Sequence, residues 1–352
     1  MNRRTIKVLW MLISALVIVS MLALAGCSGE TKEIKNPNTL IQATIGDVDS
    51  LDPAYAYDTA SGEQIQAIYE PLIYYDGTST SKFKGVLATE WNVSDDGLTY
   101  RFKIRTGVKF HNGDVLTPED VEYTFERGMV QDYVGGPQVL IFEPLLGVFG
   151  SRDSDGNIVV PLDDIKNSVE VDSDWVQFNL AKPFAPFIHV LTGTWACIVD
   201  KEWCIDQGDW DGTQASYEEL NDPEPNATPL NAKTNGTGPF KLETWNQGVD
   251  ITLVRNDDYW GKKANFERFV TKNVSEWTTR KLELLAGDVD WAFVPRANIG
   301  ELEVDGQPLE GLLRYKDLPQ LRADAFFFQF EINEDSTHVG SGLLDGNGIP
   351  YD

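Results

Sequence analysis

Hydrophobic and polar positions alternate most cleanly between Leu98 and Arg105, with Leu98, Tyr100, Phe102 and Ile104 on one side and Thr99, Arg101, Lys103 and Arg105 on the other. The pattern predicts a strand with one buried and one wet face. Turns at Thr106-Gly107 and Asn112-Gly113 follow, and Thr117-Pro118-Glu119-Asp120 then supplies an N-cap, a proline at N1 and an acid at N3. These open a helix with Val121, Thr124 and Phe125 inward. Upstream, Thr39 to Ile45 reads as a first strand, broken by Asp49-Ser50-Leu51-Asp52-Pro53. A loop from Ala54 to Ala60 leads into a helix marked by Ile65, Ile68, Tyr69 and Leu72. Leu87 to Trp91 and Trp175 to Leu180 read as further strands. Gly236, Gly238 and Pro239 are expected to make a turn needing first a permissive and then a fixed φ. A hairpin follows, Phe240 to Trp245 and Ile251 to Arg255, turned by Asn246-Gln247-Gly248. Thr278, Lys281, Leu282 and Leu285 share one helical face, stopped at Gly287, and Asp288 to Phe293 enters another strand. Arg322 to Asn333, apolar throughout Ala325 to Phe328, reads as a strand buried on both faces. Helices and strands interleave along the chain, so the expected class is α/β.

The first residues follow a different rule. Basic Arg3, Arg4 and Lys7 precede an apolar run from Val8 to Leu24, slightly long for a secretion signal and slightly short for a membrane span, ending in Leu24-Ala25-Gly26-Cys27. Small residues ahead of a cysteine resemble a bacterial lipoprotein signal. The expectation is a signal peptide over residues 1–26, a lipidated Cys27 anchoring the mature protein to the cell membrane outside the cytoplasm, and a polar tether over residues 27–38. The alternative is an uncleaved membrane helix.

Charge narrows the partners. The 352 residues hold 29 Lys and Arg against 55 Asp and Glu, a net charge of −26; removing the signal takes away three cations and no acid. A field of that sign repels phosphate backbones and excludes nucleic acid as a partner. Cys197 and Cys204 stand seven apart, about 10 Å on one continuous helix, so a bridge between them requires a turn and two free buried thiols are the other outcome. Asp153-Ser154-Asp155-Gly156-Asn157 has part of a calcium loop's composition, but its glycine comes too early and no bidentate Glu closes it, so a hairpin turn is expected. Asp288 and Asp290 could serve an acid/base mechanism, which keeps open a secreted carbohydrate-active hydrolase. No histidine or cysteine accompanies them, and a helix-to-strand turn is the better account. The sequence has no nucleophile elbow, phosphate loop, zinc spacing or dinucleotide fingerprint, and its three histidines, His111, His189 and His338, lie far apart.

Several stretches carry a more specific signal: Ser50-Leu51-Asp52-Pro53, Tyr69-Glu70-Pro71-Leu72, LTYRFKIRTGVKFHNGDVLTPEDVEYTFER from Leu98 to Arg127, Lys182 to Phe187, Thr237-Gly238-Pro239-Phe240, and Arg255-Asn256-Asp257-Asp258-Tyr259-Trp260-Gly261. Together they resemble the solute-binding proteins of bacterial ABC importers, in the oligopeptide/dipeptide-binding class (bacterial family 5). The resemblance implies a type II periplasmic-binding-protein fold, two-lobed with an extra subdomain: residues 39–72 and 190–318 as the first lobe, 73–189 as the subdomain, and 319–352 as the start of a second lobe mostly missing from the sequence. It implies a ligand cleft lined by Tyr57, Asp58, Thr59 and Tyr133, and across it by Phe326, Gln329 and Glu331. It makes His111 and Asp114 scaffold residues, not a catalytic pair. The implied protein is no enzyme, needs no metal or cofactor, acts as a monomer, and takes a small solute, foremost a peptide, to an ABC permease and ATPase complex. Oligosaccharides and nickel chelates are the competing solutes.

Overall fold

The computed structural model describes residues 35–224 and 226–315; the predicted strand over 322–333 lies outside them. Residues up to Gln307 form one compact unit and those from Pro308 a second. Within the first unit, β1 (Thr39–Thr44) leads through a loop to helix α1 (Thr59–Ile68), a small hairpin of β2 (Ile73–Tyr75) and β3 (Phe83–Gly85), and then β4 (Ala88–Val93) and β5 (Thr99–Ile104). Helix α2 (Pro118–Gln131), short helices, β6 (Val169–Asp172) and β7 (Trp175–Asn179) follow. The chain then returns through β8 (Phe240–Asn246), β9 (Asp250–Arg255), β10 (Arg268–Asn273) and, after a helix at Trp277–Ala286, β11 (Trp291–Ala292). The two larger sheets among the described residues are one ordered β11-β1-β10-β9-β8 and one β4-β5-β7-β6. The second is antiparallel throughout, whereas β1 runs parallel to both β10 and β11.

The alternation predicted for β5 is realised. Tyr100, Phe102 and Ile104 are buried with Val176 and Phe178 of β7, and Phe125 of α2 sets its ring edge-on to Phe178 at 4.8 Å. On the wet face, Arg101 reaches Asp172 and Lys103 lies near Glu90 and Asp174. Helix α2 opens as its sequence prescribes, the Asp120 carboxylate accepting from Thr117 N at 2.7 Å and Thr117 Oγ1 at 2.9 Å. It is enclosed more completely than its apolar positions alone suggest, since Tyr123 is also buried and stacks on Trp210.

One ion cluster fixes α2 to the loop before α1. Arg127 Nη1 and Nη2 donate to the two oxygens of Asp52 at 2.9 and 2.6 Å, and Nε donates to Asp209 at 2.8 Å. Burial opposes the charge, yet Asp209 and Asp52 hold the guanidinium protonated, its pKa well above the usual arginine value. Fully buried charges persist only with such pairing.

The predicted hairpin is β8 and β9, antiparallel, with a bulge between Leu242 and Thr244. The glycines before it correct the sequence reading. Neither Gly236 nor Gly238 has a positive φ; both are required by close approach instead. A Cβ on Gly236 would lie 2.1 Å from Ile68 O, and one on Gly238 2.6 Å from it. The backbone thus presses on the last turn of α1, and Gly238 N donates to Ile68 O at 2.9 Å. Beside it, His111 N bonds Gly236 O and the His111 ring Nε2 lies 3.0 Å from Gly238 O. Nδ1 is buried without a partner, which assigns the proton to Nε2. Burial drives the His111 pKa down from 6.5 to about 4, the Gly238 carbonyl opposing and Lys241 assisting.

Glu70 completes the joint. Its buried carboxylate accepts from Thr237 Oγ1 at 2.9 Å, Tyr259 Oη at 2.6 Å and Trp260 Nε1 at 2.7 Å. Burial raises its pKa against the lowering effect of those three donors.

Other expectations resolve locally. Tyr69 and Leu72 are buried as predicted but lie beyond α1, which ends at Ile68 because Pro71 forces the preceding chain toward extended conformations. Cys197 and Cys204 are free buried thiols. Asp153 closes a hairpin turn, accepting from Asp155 N and Asn157 N, each at 2.9 Å. In the helix Trp277–Ala286 it is Arg280 that is buried, bonded to the carbonyls of Val274, Ser275 and Phe293, while Leu282 and Leu285 are exposed.

Candidate functional site

The loop between β1 and α1 is built from the inside out. Ser50 through Ala56 are buried, and the chain then emerges at Tyr57, 55% exposed, with Asp58 and Thr59 also exposed. Below the surface the loop is fixed at several points besides the Arg127 cluster. Leu51 N donates to Asn231 O, Gln138 Nε2 to Ala54 O, and Ala54 N to Asp52 Oδ1. Asp58 is the N-cap of α1, its Oδ1 accepting from Ser61 N at 2.8 Å, and Ser61 Oγ in turn accepts from Asp49 N and Ser50 N. Capping therefore engages one oxygen of a carboxylate that the sequence reading assigned to the ligand alone.

Two aromatic contacts sit on this loop. Tyr55 stacks on Tyr133 with ring centroids 4.0 Å apart and planes 24° from parallel. Tyr57 meets Trp195 edge-to-face at 5.8 Å. Tyr133 is placed by Asp132, in the left-handed region at φ 34 after α2, whose carboxylate accepts from Ser151 N and Oγ. Trp195 is placed by its Nε1 bond to Val190 O at 2.9 Å. The structure therefore brings Tyr57, Asp58 and Thr59 together by sequence, and Tyr133 to the same loop through Tyr55. Phe326, Gln329, Glu331 and Cys27 lie outside the described residues. Trp195 was missed by the sequence reading. Its signal in the sequence is a large amphipathic ring directly after Gly193-Thr194.

What the arrangement offers chemically is flat surface with phenolic hydroxyls at the edges, on a backbone that cannot easily move. The acid pair considered for hydrolysis is used otherwise. Asp288 pairs with Lys35 at 2.6 Å, and Asp290 accepts from Ile41 N at 2.9 Å beside the sheet edge, as a helix-to-strand turn requires. His111 is spent on the joint at Gly238. Among the described residues, no helix is long and apolar enough to cross a membrane.

Known proteins resemble this chain over most of its length. The "Probable D,D-dipeptide-binding periplasmic protein DdpA" of Escherichia coli (strain K12) is 30% identical over 331 residues, 88% of this chain and 55% of that protein. The "Oligopeptide-binding protein OppA" of Bacillus subtilis (strain 168) is 26% identical, over 87% of this chain and 55% of that one. The chain thus spans about half the length of the curated relatives it matches. Among solved structures, the periplasmic binding protein DppA from Helicobacter pylori, in complex with peptide STSA, superposes with a TM-score of 0.59 at 26% identity, over 75% of this chain and 48% of that one. The α/β fold is that of these binding proteins. A sequence model of the bacterial extracellular solute-binding proteins, family 5 (Middle), matches residues 82–335, well over half the chain. With the capped helix α2 and the β8–β9 hairpin inside the matched span, the chain belongs to the family 5 bacterial extracellular solute-binding proteins.

Proposed function

We propose that this chain is the solute-capturing component of an ABC import system, binding peptides outside the cytoplasm and delivering them to a membrane permease driven by an ATPase. The observation that carries the reading is the pair of aromatic contacts on one fixed loop, Tyr55 with Tyr133 and Tyr57 with Trp195. Rigid amphipathic rings accept side chains of different kinds, while an extended peptide brings its own backbone donors and acceptors. The relatives' names support a peptide, and the H. pylori neighbour was solved with one. Family 5 proteins are transport binders rather than enzymes, which is the ground for expecting capture and release without chemistry.

In this reading Tyr57, Asp58, Thr59 and Tyr133 line one side of the ligand and Phe326, Gln329 and Glu331 the other. Residues 39–72 and 190–318 form the first lobe, 73–189 its subdomain, and 319–352 begin the second. Affinity comes from closing two rigid bodies about a hinge. Cys27, freed by removal of residues 1–26, carries the lipid that holds a monomeric receptor at the membrane through the tether over 27–38. Several acyl chains anchor far more firmly than one. Cys27→Ser should move the protein from the membrane to the soluble fraction, and unchanged retention would contradict the anchor.

The ligand reading is tested by calorimetric titration of host-purified protein with di- to pentapeptides, before and after Tyr57→Ala. Losing one half-exposed aromatic wall is expected to weaken binding about tenfold, or about 1.4 kcal/mol. Equal affinity in the variant would remove Tyr57 from the site.

A further inference from the structure

Glu70, Tyr259 and Trp260 of the joint behind α1 also line an open cavity of about 440 Å³. It opens beyond the C-terminal end of α1, at Tyr69-Glu70-Pro71, whereas the peptide loop sits at the N-terminal end. The ten-residue helix is about 15 Å long, and it is Tyr57 that stands at its far end, whereas Thr192 and Cys197, close in sequence to Trp195, line the cavity. The cavity is of the size that holds small molecules.

Its walls are specific. In the β2–β3 hairpin Tyr74 pairs directly with Lys84, which places both side chains on one face, and both line the cavity. Tyr75 and Phe83 pair on the opposite face, their centroids 5.3 Å apart. Trp260 forms another wall and is held rigidly, its Nε1 on Glu70 and the Arg105 guanidinium 4.8 Å from its ring centroid. Pro71 adds apolar floor. The charged side chains lining the space are Glu70, Lys84 and Lys262. Glu70 is already met by three donors. The ammonium groups of Lys84 and Lys262 are different: both residues are exposed, and neither ammonium has an ion pair or hydrogen bond with a described residue. In a chain of net charge −26, two unmatched cations beside a fixed indole and a phenol are a local inversion of sign. Rings supply the flat contact and lysines the countercharge.

We propose that this cavity is a second ligand site, separate from the peptide loop, for a small organic anion with a flat apolar body. Carboxylate or sulfonate oxygens sit between Lys84 and Lys262 and the flat body lies against Trp260 and Tyr74. Occupancy does not require the peptide, so the proposal stands or falls apart from the transport reading.

The test uses the full chain and 2-naphthoate as probe, with 2-naphthylmethylamine as a cation of similar shape, read by calorimetry and by quenching of tryptophan fluorescence. Saturable naphthoate binding is expected, with the amine at least tenfold weaker. Lys84→Gln combined with Lys262→Gln should weaken naphthoate about tenfold or more, while Tyr57→Ala leaves it unchanged. Because both lysines are exposed, the double variant should melt as the parent does. Wild-type affinity should also fall as salt rises, an arm that needs no variant. Absence of saturable naphthoate binding, equal binding of the amine, or indifference to both the lysine changes and salt would overturn the proposal. Loss of naphthoate binding on Tyr57→Ala would relocate the probe to the peptide loop and overturn it equally.

Discussion

Replacing Arg127 with Met should be among the most damaging single changes in the molecule. The guanidinium side chain is 1% exposed and both partner carboxylates are 0% exposed, so no water stands ready to replace it. Met fills much of the volume but leaves Asp52 and Asp209 as buried anions without a cation. Some hydrogen bonds survive, from Ala54 N to Asp52, and from Trp210 N and Gln131 Nε2 to Asp209. Breaking a buried pair from one side costs about 3–5 kcal/mol, and with two orphaned carboxylates the upper part of that range is expected. The deficit has a pH signature. In the variant two buried anions are left with no cation between them, which favours proton uptake by the folded state, so the deficit should shrink as pH falls toward 5. Urea denaturation followed by circular dichroism at pH 7 and pH 5 would measure both effects. Adding Asp52→Asn should return part of the loss at pH 7, a coupling of at least about 1 kcal/mol. A loss below about 1 kcal/mol at pH 7, or one that does not change with pH, would refute the claim that this cluster holds the loop of Tyr55 and Tyr57 in place.

Two further outcomes concern the joint behind α1. His111 is neutral in the folded protein down to about pH 4 and titrates near 6.5 when unfolded. The unfolded chain therefore binds the extra proton first, and His111's contribution is present above about pH 6.5 and lost as pH falls toward 4; in His111→Gln the stability profile, measured by urea melts, should be flatter over that window. Gly238→Ala should cost more than about 1 kcal/mol in the same assay, because the new methyl meets the backbone oxygens of Ala67 and Ile68 at 2.7 and 2.6 Å and those cannot rotate away; a neutral effect would mean that α1 and the hairpin are not in the contact described.

What the sequence disclosed was mostly local. Strand β5 and the capped start of α2 follow from alternation and from Thr117-Pro118-Glu119-Asp120, because neighbours along the chain decide them. The β8–β9 hairpin was legible for the same reason. The site was less so. Its loop was located through resemblance, but Tyr57's partner Trp195 lies far along the chain, and no periodicity links them. Glu70 shows the limit best. It finds Thr237, Tyr259 and Trp260, 167 to 190 positions away, so motifs recognisable as separate strings prove to be one hydrogen-bonded cluster. Gly236 and Gly238 stand out in the sequence, but a close approach between distant segments leaves the same residue type as an unusual φ.

The central claim, a receptor that captures peptides, is tested most directly by native mass spectrometry of the protein purified from its host without denaturation. The account predicts retained ligands whose masses and fragments are those of short peptides, lost when Tyr57→Ala protein is purified in the same way. Retention of an oligosaccharide or a metal chelate in their place would contradict it.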